Sequence, residues 1–224
     1  MKTEQAEPAR IVVLISGSGS NMQAIAQSCH KKEMDAEIVA VISNRPGVAG
    51  LDRAENLGIA TDIVDHTEFA TREEFDINLI RAIDEHSPDI VVLAGFMRIL
   101  TADFVRRYKG KLINIHPSLL PKHKGLNTHK RALEAGDSEH GVTVHFVSED
   151  LDGGPNIIQA VVPVLDDDND QTLQVRVQAQ EHVIFPIAVK WFVEGRLSMT
   201  KGDAYFDNQA LPETGLQLSP ESIN

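Results

Sequence analysis

Apolar positions fall along this chain in two alternating rhythms. Unbroken aliphatic runs, Ile11-Val12-Val13-Leu14-Ile15, Glu37 to Ile42 and Ile90-Val91-Val92-Leu93-Ala94, read as strands buried on both faces. Stretches of helical period lie between them. Asn21 to Lys31 predicts one helix, and a short one through Leu51, Ala54 and Leu57 ends at Gly58. Thr71 to His86 is the clearest amphipathic helix, with Phe75, Leu79, Ile80 and Ile83 on one stripe. Thr71-x-x-Glu74 resembles a capping box and Pro88 stops the helix. Thr61 to Val64 is a further strand, and so is Leu112 to His116. A β-α-β-α order of this kind implies a parallel sheet covered by helices.

The rhythm changes in the second half. Val142, Val144 and Phe146, then Ile157 to Val164, carry strand character with no helix between them. They predict an antiparallel pair and so a mixed sheet. Thr172 to Phe192 predicts a long helix that Pro186 kinks, and Leu197 to Phe206 a small hairpin. No repeat or dividing linker is visible. One domain is expected over residues 10–212, with loose ends at 1–9 and 213–224.

Composition narrows the function classes. The chain has 224 residues, 21 of them basic and 33 acidic, for a formal charge of -12. General nucleic-acid binding usually shows as a basic excess, so no nucleic-acid partner is expected. A single cysteine, Cys29, allows no internal disulfide and no zinc site of several cysteines. No apolar run approaches the ~20 residues of a membrane span. The first one, Ile11 to Ile15, is too short for a signal-peptide core. These features predict a cytoplasmic protein with no membrane partner.

Three segments carry candidate chemistry. Ser16-Gly17-Ser18-Gly19-Ser20-Asn21 lies between a buried strand and a helix, where free N–H groups can hold a phosphate. A dinucleotide fingerprint would need glycine where Met22 stands and an acid where Ser43-Asn44 stands. The loop is either a phosphate cradle or a tight turn that caps its helix. In Asn114-Ile115-His116-Pro117 the amide and the imidazole share one face at a strand's carboxyl end. An amide donor can stabilise an oxyanion and an imidazole can move a proton, a pairing suited to addition at a carbonyl. The plainer alternative is a histidine that caps a loop. Asp152, in Leu151-Asp152-Gly153-Gly154-Pro155, is either a solvated turn carboxylate or a partner that favours imidazolium at His116.

Taken together, Ile15 to Asn21, Asn114 to Pro121 with Gly125, Ser148 to Pro155 and Leu93 to Leu100 resemble the glycinamide ribonucleotide branch of the folate-dependent formyltransferases. The resemblance runs from about residue 10 to 212. It implies a three-layer α/β/α fold on a mostly parallel, mixed seven-stranded sheet with a Rossmann-like N-terminal half. It implies formyl transfer from 10-formyltetrahydrofolate to the primary amine of glycinamide ribonucleotide in purine synthesis, with no metal. By resemblance Gly19, Ser20 and Asn21 hold the ribose phosphate, and Gln178 and Glu181 contact the rest of the ribonucleotide. Arg72, Met97, Arg98, Ile99 and Leu100 line the folate site, with Asn114, and Ser148, Glu149, Asp150, Leu151 and Asp152 close over the pterin. Asn114, His116 and Asp152 form the catalytic set. His145 is expected near the site. The protein partners are expected to be none beyond a second copy: a monomer or homodimer.

Ser18 departs from the asparagine common in that loop, without consequence if the backbone does the binding. Lys122-His123-Lys124 is an unusually basic form of the loop before Gly125 and reads as solvated. Asp166 to Asp170 reads as a loop leading into a helix rather than a calcium loop. Two other activities compete: hydrolysis of the formyl donor, and silent binding of phosphate or folate. A formyltransferase acting on charged tRNA is expected to carry a further C-terminal domain.

Overall fold

The computed structural model describes residues 7–218. The amino-terminal half alternates as the apolar rhythm predicts: β1 (Ala9–Ile15), α1 (Ser20–His30), β2 (Ala36–Ser43), α2 (Ala49–Asn56) and β3 (Thr61–Ile63). The chain then runs through α3 (Arg72–Asp84), β4 (Ile90–Leu93), α4 (Ala102–Arg107), β5 (Leu112–His116) and α5 (Thr128–Ala135). Next come β6 (Glu139–Phe146), β7 (Asn156–Pro163) and α6 (Asp170–Val193). Four short strands follow: β8 (Leu197–Thr200), β9 (Asp203–Phe206), β10 (Gln209–Ala210) and β11 (Leu216–Leu218).

β1 shows why the sheet is covered on both faces. Ile11, Val13 and Ile15 join the core shared with α1 and α6, while Val12 and Leu14 join a second core shared with α3 and α4. Five successive apolar residues are therefore all buried, and the period of two sends them to opposite layers. The Thr71 hydroxyl accepts from the Glu74 N–H at 3.1 Å and starts α3. The Glu74 carboxylate reaches back to the Ala70 N–H at 3.1 Å, one residue beyond the usual box. Asn169 caps α6 reciprocally with Thr172, and Pro186 lies inside that helix without ending it.

The main sheet has the order β11-β7-β6-β5-β4-β1-β2-β3. β3, β2, β1, β4 and β5 run parallel, and β6 is antiparallel to both β5 and β7. Among the described residues the sheet thus has eight strands rather than seven. The eighth comes from residues expected to be a loose end: Leu216 to Leu218 pair parallel with Ile158 to Ala160. At the other end Ala9 already belongs to β1. The remainder of the two expected loose ends, residues 1–6 and 219–224, lies outside the described residues. β8, β9 and β10 form the separate hairpin sheet. Chain order turns back between β1 and β4, and the crevice at their carboxyl ends is where ligands gather in such sheets. Among the described residues no helix is long and apolar enough to cross a membrane.

The turn after β6 depends on a glycine. A Cβ on Gly154 would stand 1.8 Å from the Phe146 carbonyl oxygen, where the two strands close on each other. Gly154→Ala is expected to destabilise the fold by about 1–3 kcal/mol, a lower urea midpoint with an unchanged slope. An unmoved midpoint would show that the turn can relax around the methyl.

Candidate active site

β5 delivers the two central side chains. Asn114 lies opposite His145 of β6, and His116 opposite Thr143, so all four point to one face. Gln159 of β7 continues this row opposite Thr143, and Gln217 of β11 lies opposite Gln159. Over this polar row the sheet carries the loop after β5 instead of a helix. Thr143 Oγ1 donates to the Ser118 carbonyl at 2.6 Å and accepts from the Leu120 N–H at 3.1 Å. Gln159 Nε2 donates to the Leu120 carbonyl at 2.8 Å, and Gln159 Oε1 accepts from Gln217 Nε2 at 3.3 Å. Buried side chains thereby supply partners to the Ser118 carbonyl and to both backbone groups of Leu120, while the loop's own backbone pairs Ser118 with His116 and Lys122 with Leu119.

Asn114, His116 and Asp152 form one cluster. His116 Nδ1 stands 3.4 Å from Asp152 Oδ2, and both side chains are buried. His116 Nε2 lies 3.0 Å from the His123 carbonyl oxygen, so the ring has an acceptor on each side. Asp152 reaches in from a left-handed backbone position, and its Oδ2 also accepts from the Gly125 N–H at 2.8 Å. His145 joins the set at its centre. Its Nδ1 is 2.8 Å from the Phe146 carbonyl, its Nε2 3.1 Å from Asn114 Nδ2 and 3.9 Å from Asp152 Oδ1. Burial holds the His145 ring down to about 4. It is neutral at neutral pH, with Nδ1–H donating to Phe146 and Nε2 accepting from Asn114. That acceptor fixes the Asn114 amide and leaves its second N–H free to act as a donor.

The phosphate-loop candidates lie together at the other end of the crevice. Gly19 has a φ of 72°, and a Cβ there would stand 2.6 Å from the Gly50 Cα, so the loop is pressed against the start of α2. Gln178 Nε2 donates to Ser20 Oγ at 3.3 Å, and Asn21 Nδ2 donates to Glu181 Oε2 at 2.6 Å. Burial pushes the Glu181 carboxyl up, and the Asn21 hydrogen bond opposes that shift. Among the described residues the buried Asn21 Oδ1 has no hydrogen-bond partner, which leaves it open to a ligand donor.

The folate-side candidates border the same crevice. Arg72 opens α3, and the Asp76 carboxylate one turn later accepts from the Thr101 N–H at 2.6 Å. Arg98 lies over the Phe75 ring at 5.7 Å, so residues 97–100 run against α3. Met97 and Ile99 are exposed, while Leu100 packs on the second core. In the 148–152 turn, Glu149 pairs with Arg106 of α4 at 2.9 Å, Ser148 Oγ donates to the Asp150 carbonyl at 3.3 Å, and Leu151 is exposed. Residues 97–100 thus present exposed apolar side chains, and the 148–152 turn is tied down by charge. Among the described residues no group of three or more His, Cys, Asp or Glu side chains is arranged to hold a metal ion.

The basic loop is exposed at Lys122 and Lys124, as expected of a solvated segment, while His123 is drawn in. Asp137 binds Lys122 Nζ at 2.9 Å and His123 Nε2 at 2.6 Å, which holds the loop against the end of α5. Beside it His140 is buried with Nε2 3.2 Å from His129 Nδ1, and burial brings the His140 ring down to about 4. An imidazole that titrates near 6.5 unfolded and near 4 folded binds its proton in the unfolded chain first. Stability is therefore lost as pH falls from about 6.5 toward 4, by up to about 1.4 kcal/mol per pH unit for each such ring. His140→Gln is expected to flatten this slope in pH-dependent denaturation, and an unchanged slope would assign the acid sensitivity to other groups.

Residues 9–189 match the family described as formyl transferase. Over 205 residues the chain is 53% identical to the phosphoribosylglycinamide formyltransferase of Escherichia coli strain K12, covering 92% of this chain and 97% of that protein. It is 49% identical over 191 residues to the human trifunctional purine biosynthetic protein adenosine-3, covering 85% of this chain and 19% of that one. The solved structure of the Coxiella burnetii phosphoribosylglycinamide formyltransferase in complex with CHES superposes with a TM-score of 0.91 at 49% identity, covering 95% of this chain and all of that one.

Proposed function

The chain belongs to the formyl transferase family, and we infer that it is a one-carbon transferase of purine biosynthesis that formylates glycinamide ribonucleotide. The donor we assign is 10-formyltetrahydrofolate. One observation carries the residue roles: Asn114 is linked to Asp152 through His145, and His116 contacts Asp152 directly, at the carboxyl end of β5 in the crevice whose far end is the glycine loop.

That geometry supports the following roles. The backbone of Gly19 and Ser20 at the start of α1 receives the ribose phosphate, helped by the positive end of the helix. Asn21, Gln178 and Glu181 bind the remainder of the ribonucleotide. Residues 97–100 with Arg72 and the 148–152 turn hold the folate. The substrate amine attacks the formyl carbon, a C–N bond forms, and the carbonyl electron pair moves to oxygen. The free Asn114 N–H donates to that oxyanion, with His116 beside it. The new ammonium then loses a proton. The oxyanion's electron pair then re-forms the C=O bond as the bond from carbon to the folate nitrogen breaks, and the electron pair of that broken bond stays on the nitrogen, which is protonated. Asp152, in contact with His116, is the group positioned to pass this proton. Tetrahydrofolate and the formylated ribonucleotide leave.

Hydrolysis of the donor would use the same three side chains with water as nucleophile. The phosphate loop and the Asn21–Glu181 pair favour an amine acceptor that carries a phosphate and hydroxyls. The deciding assay mixes enzyme, 10-formyltetrahydrofolate and glycinamide ribonucleotide, with controls lacking the ribonucleotide. Tetrahydrofolate release that requires the ribonucleotide, without formate, is expected. Release with formate in its absence would make the protein a hydrolase.

His116→Ala is expected to lower turnover about 100-fold or more with folate affinity nearly unchanged. A drop of less than tenfold would remove His116 from the chemistry. Asp152→Asn is expected to slow transfer and narrow the pH range of kcat. A profile that keeps the wild-type shape would separate Asp152 from the proton path.

A further inference from the structure

The two substrate regions meet at one buried hydroxyl. β1 ends at Ile15, and the next residue, Ser16, lies between the ends of β2 and β4. Its Oγ accepts from the Met97 N–H at 2.7 Å and donates to Asn44 Oδ1. Asn44 is fully buried, and His66 Nδ1 stands 2.8 Å from its carbonyl oxygen and 3.1 Å from its Nδ2. In either tautomer the ring therefore has a partner on Asn44. Ser16 is the residue that starts the glycine loop, and the Gly17 carbonyl is in turn fixed by the Gly50 N–H at 3.0 Å. Met97 is the first residue of the exposed apolar wall. Its N–H is held by Ser16, and at the far end of the wall the Thr101 N–H is held by Asp76.

We propose that Ser16 is a positioning residue that joins the phosphate loop to the folate wall, so that filling one substrate site strengthens binding at the other. The proposal rests on the assignment of those two loops to the ribonucleotide and the folate. Its physical basis is the lack of slack in the link. The hydroxyl has one proton and it goes to Asn44, so the Met97 N–H has this single side-chain acceptor. Asn44 cannot yield, because it is enclosed and is held by the His66 ring. A shift of Ser16 as the loop closes on a phosphate must move the Met97 peptide or break a buried hydrogen bond. A broken bond would leave a donor without a partner. Asp76 anchors the other end of the wall, and among the described residues its carboxylate forms no hydrogen bond with the glycine loop. It therefore serves as the internal contrast.

The test is a binding cycle by calorimetry with tetrahydrofolate and glycinamide ribonucleotide. Each is titrated alone and with the other saturating, on wild type, Ser16→Ala and Asp76→Asn. In the wild type each substrate is expected to tighten the other by the same factor, about fivefold or more. Ser16→Ala should bring that factor close to one, with ribonucleotide affinity alone within about threefold of wild type. Asp76→Asn should weaken folate binding while the factor persists. A Ser16→Ala protein that keeps the wild-type factor would overturn the proposal, even if its melting temperature falls. Hydrogen exchange at the Met97 amide of the wild type gives a second reading that needs no variant. Ribonucleotide alone should slow it, and an unchanged rate would overturn the coupling. Wild-type protein that binds neither compound would overturn the functional assignment itself.

Discussion

The site depends on a row of polar side chains laid across the sheet where an α/β protein normally places an apolar layer. Asn114 and His116, Thr143 and His145, Gln159 and Gln217 share one face across four strands. Burying such groups is costly unless each finds a partner. Here the partners are one another and the backbone of the loop that crosses them. Thr143 and Gln159 between them serve Ser118 and Leu120, and Ser118 Oγ donates to the Lys122 carbonyl. The loop is therefore part of the core's hydrogen bonding. Any movement that lifts it also removes partners from the buried row.

The same row explains how a neutral histidine can serve a charged step. His145 sits between Asn114 and Asp152 and is too deeply buried to hold a proton near neutral pH. Its only exposed capability is that of an acceptor, which orients the Asn114 amide. His116, one strand position further out, faces a carboxylate instead. Two imidazoles within one site thus differ in role because His145 commits its nitrogens to the Phe146 carbonyl and the Asn114 amide, while His116 has an acceptor, Asp152 or the His123 carbonyl, on each side.

Much of the fold was legible because the apolar runs are long and their periods distinct. Ile11 to Ile15 and the stripe from Phe75 to Ile83 fix their elements without help from the rest of the chain. α4 and α5 were not legible: six and eight residues carry too little period to stand above their surroundings. β11 is three residues whose strand form exists only through β7, 58 positions away. The residues Asn114, His116 and Asp152 stood out by type and motif, but their junction at His145 did not. The inward position of His123 was not legible because its partner, Asp137, is distant in sequence and joins it only after α5 forms. Ser16 looked like turn punctuation for the same reason, since its partners lie 28 and 81 residues on.

β11 has a meaning beyond its side-chain contact with Gln159. Without it, β7 would be the outermost strand, offering a long row of unpaired N–H and C=O groups in an apolar stretch, Ile157 to Val162. Such an edge is a template on which another chain can add. β11 covers the middle of that edge, Ile158 to Ala160, in parallel and is itself only three residues long. The final described segment of the chain thus guards the sheet against self-association into extended aggregates.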